Sequence, residues 1–212
     1  MNRFPTYSSF QASPAGRRAA RRFQSFFAKT APFDAPAVRI GPAAFFDEAA
    51  PETDFSRSVE NVAENVAPPL GDACSVGTVF IAALNESVFH TLSPLIKESV
   101  RILKPAGRLI LIVKNAPSLC PAVGGIPSSR PFAVRRELAR NGLRLTERQD
   151  VLHIPFYGKS SDIADKILYA LNAWGGGFTV FTARKASFVP QNNENYSSAR
   201  ITNASVFTSP RT

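Results

Sequence analysis

Two places in the chain set polar side chains at the end of an apolar run. Asn85, Glu86, Ser87 and His90 follow the run at 76–84, and Lys114 and Asn115 follow the run at 108–113. In a protein of alternating strands and helices, ligands lie at the carboxyl ends of strands, so these residues would face any pocket. The same side chains have a structural use, because Asn85 and Ser87 can cap a turn. A third group, Gly71-Asp72-Ala73, puts a carboxylate in a turn just before the first run; a plain surface turn accounts for it as well. Cys74 and Cys120 lie far apart, no Cys-x-x-Cys pair exists, and His90 and His153 are isolated. That is no ligand set for zinc. Neither thiol has a base near it in sequence, so both cysteines read as buried apolar fillers.

The elements that must position these groups are clearest between 76 and 115. Residues 76–84 are apolar and rich in strand formers. Ser93-Pro94 reads as a helix start, with Ser as N-cap and Pro at the first helical position. Leu95, Ile96, Val100 and Leu103 recur at spacings of three and four and give one apolar face. Pro105-Ala106-Gly107 stops that helix, and 108–113 is a second strand. Strand, helix and strand with short connections predict adjacent parallel strands with a right-handed crossover. Further on, 132–141 reads as a helix ended by Gly142, and 143–154 as a strand. Residues 162–174 read as a helix with Ile163, Ile167, Leu168 and Leu171 on one face, and 178–183 as the last strand.

The first 35 residues differ in composition. Arg3, Arg17, Arg18, Arg21, Arg22 and Lys29 precede the first acid, Asp34. On a helix, Arg17, Arg18, Arg21 and Arg22 fall opposite Ala19, Phe23, Phe26 and Phe27. A mitochondrial transit peptide, a membrane-surface helix and a helix docked on its own domain all share this pattern. The expectation is a basic leader at 1–35, loosely packed through residue 30 and mitochondrial if the organism is eukaryotic, cytoplasmic otherwise. Residues 36–75 carry a possible short strand at 37–40 and a possible helix through Val59, Val62, Ala63 and Val66. Residues 187–212, rich in Ser, Thr and Asn, read as a tail.

The bulk numbers narrow the partners. Lys and Arg number 25 against 16 acids, a net charge of +9, which suits polyanions or simply a solvated basic surface. No apolar run approaches the roughly 18 residues of a membrane span. Two cysteines form no disulfide framework and suit a reducing compartment.

The stretch LIKESVRILKPAGRLILIV at 95–113 resembles the helix, turn and strand that follow the cofactor site in Rossmann-like (class I) S-adenosylmethionine-dependent methyltransferases. Leu103, Lys104, Pro105, Gly107, Arg108 and Leu109 match that family's pattern in order. RRELARNGLRLTERQDV at 135–151 is similar to its next helix and strand, and GGFTVFTARK at 176–185 looks like its antiparallel last strand. The resemblance covers about half of the chain. It implies an α/β domain over 36–186, a mixed sheet with an antiparallel last strand, here with a shortened or degenerate N-terminal half. It also implies S-adenosylmethionine as the cofactor if the chain is active, with Asp72, Asn85 and Glu86 as candidate contacts.

That family ends its first strand in a glycine-rich turn against the cofactor, and an acid at the end of its next strand holds the ribose hydroxyls. Upstream of Val76 the glycines here are Gly16, Gly41 and Gly71, none in a Gly-x-Gly pattern. Ala37-Val38-Arg39-Ile40-Gly41 is the candidate remnant of that first strand, but Pro42 and Ala43 follow it. The expectation is therefore weak cofactor binding and a pseudoenzyme, a structural or interaction module with a protein partner or larger assembly. Nucleic acid contact through the basic leader is a further reading. The alternative is an active methyltransferase, since methyl transfer needs mainly proximity and orientation.

Overall fold

A computed structural model of the chain describes residues 10, 12–51, 53–60, 69–116, 127–153, 159–173 and 175–186. In chain order the elements are α1 (Pro14–Thr30), β1 (Ala37–Ile40), α2 (Ala43–Ala49), β2 (Phe55–Val59), β3 (Val76–Ala83), α3 (Glu86–His90) and α4 (Leu92–Ile102). Then come β4 (Leu103–Asn115), β5 (Ser128–Ser129), α5 (Pro131–Arg140), β6 (Leu143–Val151), α6 (Lys159–Ala170) and β7 (Phe178–Lys185).

The strands form one seven-stranded sheet in the order β2-β1-β3-β4-β7-β6, with β5 paired to the end of β4. Strands β1 to β4 run parallel, and β7 is antiparallel to both of its neighbours. The predicted pair is present: Val79, Phe80 and Ile81 of β3 lie opposite Leu109, Ile110 and Leu111 of β4. All eight residues of β3 are buried, which is why no polar alternation marks it; helices cover both of its faces. Side chains alternate across the pleat. Phe80 and Ala82 join the core under α1 and α2, while Val79, Ile81 and Ala83 join the core under α4 and α5.

Helix α1 departs most from expectation. Ser13 caps it, its Oγ accepting from the Gly16 N–H at 3.0 Å, and Pro14 stands at the first helical position. Phe23, Phe26 and Phe27 are buried, so Pro14–Thr30 is a core helix and not a loosely packed leader. Phe23 stacks edge-on against Phe45 and Phe178, and Phe27 lies against Phe33 and Phe80. The basic face is also partly consumed. Arg18 is buried, Arg17 donates to the Ala12 carbonyl, and Arg22 pairs with Asp165 of α6. Residues 187–212 and 61–68 lie outside the described residues.

Four smaller corrections have local causes. The long stretch after β3 is capped by Asn85, whose Oδ1 accepts from the Val88 N–H at 2.9 Å; α4 then starts at Leu92. Ser93 instead donates to Glu137 of α5 at 2.7 Å, and this bond holds the Glu137 carboxyl below the usual range. Pro105-Ala106-Gly107 lies inside β4, where Ala106 adopts φ +63° and the β3 register slips between Val76 and Thr78. Val59 closes strand β2 and is no helix residue.

Helix α6 turns its apolar stripe outward and buries Asp165. Asp165 is fully buried, receiving the His153 N–H at 2.7 Å and the Arg22 guanidinium, while Ile163, Ile167 and Leu171 face solvent. Cys74 is exposed, with φ +54°, and is no core filler; Cys120 lies outside the described residues. Among the described residues no helix is long and apolar enough to cross a membrane.

Candidate functional site

Parallel strands present their last residues along one edge of the sheet, and there the chain turns are short. β1 ends at Ile40, and Gly41 turns at φ +129°, donating its N–H to the Val59 carbonyl of β2 at 2.8 Å. Pro42 precedes the first residue of α2 and caps nothing with its side chain. β2 ends at Val59, so Glu60 projects from its end, exposed. β3 runs on through Leu84 to Asn85, whose Nδ2 donates to the Glu60 carbonyl at 3.3 Å. The turns after β1, β2 and β3 are thus linked by two hydrogen bonds into one rim.

The rim's only glycine faces inward. A Cβ on Gly41 would sit 2.6 Å from the Ala82 carbonyl oxygen and 3.0 Å from the Ala82 Cβ of β3. Its missing side chain lets β1 and β3 approach; the bare backbone is turned to the protein and not to an opening. A second close approach lies at the other end of β3. There a Cβ on Gly77 would collide with the Asp34 carbonyl, and the Gly77 N–H donates to the Pro36 carbonyl.

The structure brings together two of the three sequence candidates. Asn85 sits on the rim, but both polar atoms of its amide are engaged, Oδ1 as a helix cap and Nδ2 on Glu60. Glu86 opens α3 beside it and is exposed. Asp72 lies apart, in the turn before the amino end of β3. That turn is tied to α4: Arg101 donates to the Gly71 carbonyl and to Glu98, and Glu98 receives the Leu70 N–H at 2.9 Å.

A groove of about 690 Å³, lined by Phe27, Pro32, Phe33, Ala49 and Pro51 among others, also opens toward the amino end of β1, remote from Gly41. On the carboxyl edge, Lys114 and Asn115 end β4 in buried positions, and among the described residues the Asn115 Oδ1 has no hydrogen-bond partner.

Glu60 is the rim residue that sequence reasoning missed as a site. The strand before it, Phe55–Val59, carries little apolar pattern of its own, and the helical spacing of Val59 with Val62 and Val66 hid it.

The Glu98 tie gives a pH prediction. The Arg101 hydrogen bond lowers the Glu98 pKa. A carboxyl held low when folded contributes stability above its unfolded value of about 4.3, and that contribution disappears as pH falls through the folded value. Glu98→Gln should therefore cost about 1 kcal/mol or less in urea unfolding at neutral pH, the pair being partly exposed. As pH falls below the unfolded value the difference from the wild type should shrink, and it should vanish once pH is below the lowered folded value. A difference that persists there would show that the ion pair is not its source.

No family model matches the sequence, and no curated protein matches it either. Solved structures do. The geranyl diphosphate C-methyltransferase of Streptomyces coelicolor A3(2), solved with Mg2+, geranyl-S-thiolodiphosphate and S-adenosyl-L-homocysteine, is 15% identical, with 85% of this chain and 80% of that chain covered and a TM-score of 0.53. A Listeria monocytogenes protein assigned as an S-adenosylmethionine-dependent methyltransferase is 12% identical, over 81% of this chain and 100% of its own, at a TM-score of 0.52. A geranyl diphosphate methyltransferase in complex with GPP and sinefungin is 13% identical, over 85% and 82%, also at 0.52. The strand order, the antiparallel β7 and these three likenesses agree: the fold of this chain is that of the Rossmann-like, class I S-adenosylmethionine-dependent methyltransferases.

Proposed function

We propose that this protein is a methyltransferase-fold module that has lost tight cofactor binding and works as a structural or interaction component of a larger assembly. One observation carries the reading, the turn Gly41-Pro42-Ala43 at the end of β1. A cofactor with a carboxylate and a sulfonium needs backbone N–H groups within hydrogen-bond reach, and only a bare turn lets it that close. Here the space at Gly41 is taken by Ala82, Pro42 has no N–H to donate, and Ala43 adds a side chain. Helix α2 behind it is only seven residues long, with Phe45 and Phe46 committed to the core. The residues present do not fit S-adenosylmethionine as a tight ligand, so no catalytic step through it is derived.

The active reading keeps one observation in its favour. Glu60 stands at the end of β2, where the resemblance places the ribose-binding acid, and Asn85 is bonded to its backbone.

Thermal unfolding with S-adenosylhomocysteine separates the two. At about 1 mM ligand, a site with a dissociation constant near 10 µM would stabilise the fold by about 2.7 kcal/mol. For a chain of this size that is a shift of roughly 5–11 °C. The proposal expects a shift below about 2 °C, the size left by a millimolar site. A rise of 5 °C or more, the scale just given, would favour the active enzyme.

A further inference from the structure

The sheet carries a row of like charges at the end opposite the rim. Arg184 of β7 lies directly across from Arg108 of β4 on one side and from Arg144 of β6 on the other. Residues in register share one face, so three arginines line three adjacent strands. Like charges set directly opposite one another destabilise a sheet. One of the three is neutralised. The Arg108 guanidinium donates to the Thr30 and Pro32 carbonyls and pairs with Asp34 at 3.4 Å. Arg144 and Arg184 are exposed, and among the described residues neither has an acid partner. The acid two strand positions on from the row, Glu147, is held by Lys29 at 3.7 Å.

We propose that Arg144 and Arg184 bind the phosphate backbone of a nucleic acid. Directly opposed side chains on neighbouring strands start about 5 Å apart. Two guanidiniums at that spacing can fork onto one phosphate or bracket two successive ones, in the bidentate geometry for which arginine is suited. The surface is also the wrong kind for a protein partner. Protein interfaces have an apolar centre. Among the described residues the exposed large hydrophobics are Phe132, Ile163, Ile167 and Leu171, on α5 and within or just after α6, and none is on β6 or β7. Nucleic-acid interfaces are polar and strongly positive, and the net charge of +9 draws polyanions from a distance. The inference stands whether or not the rim binds a cofactor.

The test is fluorescence anisotropy of the full chain with labelled RNA and DNA, single-stranded and duplex, across a salt series. The wild type should bind with an affinity that falls as salt rises. The double variant R144Q/R184Q should flatten the log–log salt slope by between about one and two, because each phosphate contact contributes roughly 0.7–0.9. The same slopes imply an affinity loss of at least about tenfold at 0.1 M salt. R17Q/R21Q, which removes two exposed arginines of α1, should bind as the wild type does. Both variants should melt cooperatively, and R144Q/R184Q no lower than the wild type, since it relieves a like-charge pair. The proposal is overturned if the wild type binds none of the probes or if R144Q/R184Q binds unchanged. It is equally overturned if a glutamate polymer of equal charge binds as tightly and with the same sensitivity, which would indicate an acidic protein partner.

Discussion

A chain that starts at residue 31 is expected not to fold. Helix α1 covers the sheet face formed by Phe80, Ala82, Ile110, Ile112 and Val180, and its own Phe23, Phe26 and Phe27 are buried there. Burying a phenyl side chain is worth about 1.5–3 kcal/mol, so the three together contribute roughly 5–9 kcal/mol. That is the size of the whole net stability of an ordinary domain, about 5–15 kcal/mol. The truncation also strips the Arg22 partner from Asp165 and leaves a fully buried carboxylate with one fewer donor, a further cost. Circular dichroism and urea titration should show no cooperative transition in the truncated chain. A transition with a midpoint close to that of the full chain would mean that α1 is dispensable to the core. The same reasoning bears on any cut after residue 35, which would remove a structural helix along with the basic residues.

Replacing Phe80 by Ala should be the most damaging single change. Its ring is fully buried in the middle of β3. It meets Phe33 at 5.0 Å, Phe55 at 5.4 Å, Phe27 at 5.7 Å and Phe46 at 6.3 Å between centroids, mostly edge-on. These neighbours come from α1, the loop after it, α2 and β2, so the ring ties the first part of the chain to the central strand. Phe-to-Ala changes in a core cost about 3–5 kcal/mol. For a chain of this length that lowers the melting temperature by roughly 6–20 °C. Phe80→Leu, closer in volume, should lose less than half as much. A loss below about 1 kcal/mol for Phe80→Ala would show that the aromatic cluster is loosely packed and collapses around the gap.

The β3-α4-β4 unit was readable from sequence because its signals are redundant. The strands are continuous apolar runs, the helix repeats at three and four, and the connections are too short for any other arrangement. Helix α1 was readable as a helix but not as core. A phenylalanine face opposite an arginine face specifies that something apolar is covered, not whether it is a membrane, a receptor or the chain's own sheet. Strand β2 escaped because its five residues sit at the sheet edge with Ser56, Arg57 and Ser58 exposed, leaving too little apolar pattern to detect. Helix α6 misled for the opposite reason. Ile163, Ile167 and Leu171 form a regular stripe, yet the helix is held by Asp165 through Arg22 and the His153 backbone, a long-range pairing that no local periodicity encodes. At the candidate site, Gly41, Pro42 and Asn85 were visible as residues. What was invisible is that Ala82 fills the space at Gly41 and that Glu60 and Asn85 meet, because both facts depend on β1 lying between β2 and β3 in the sheet.

Calorimetric titration of the full chain with S-adenosylmethionine tests most directly whether this fold still holds its cofactor. Losing two or three hydrogen bonds to a charged ligand, at roughly 1–3 kcal/mol each, turns a micromolar site into a millimolar one. The predicted result is no saturable heat, with a dissociation constant of about 1 mM or weaker. A constant below about 10 µM would contradict the account, and Glu60 and Asn85 would then be the first residues to replace.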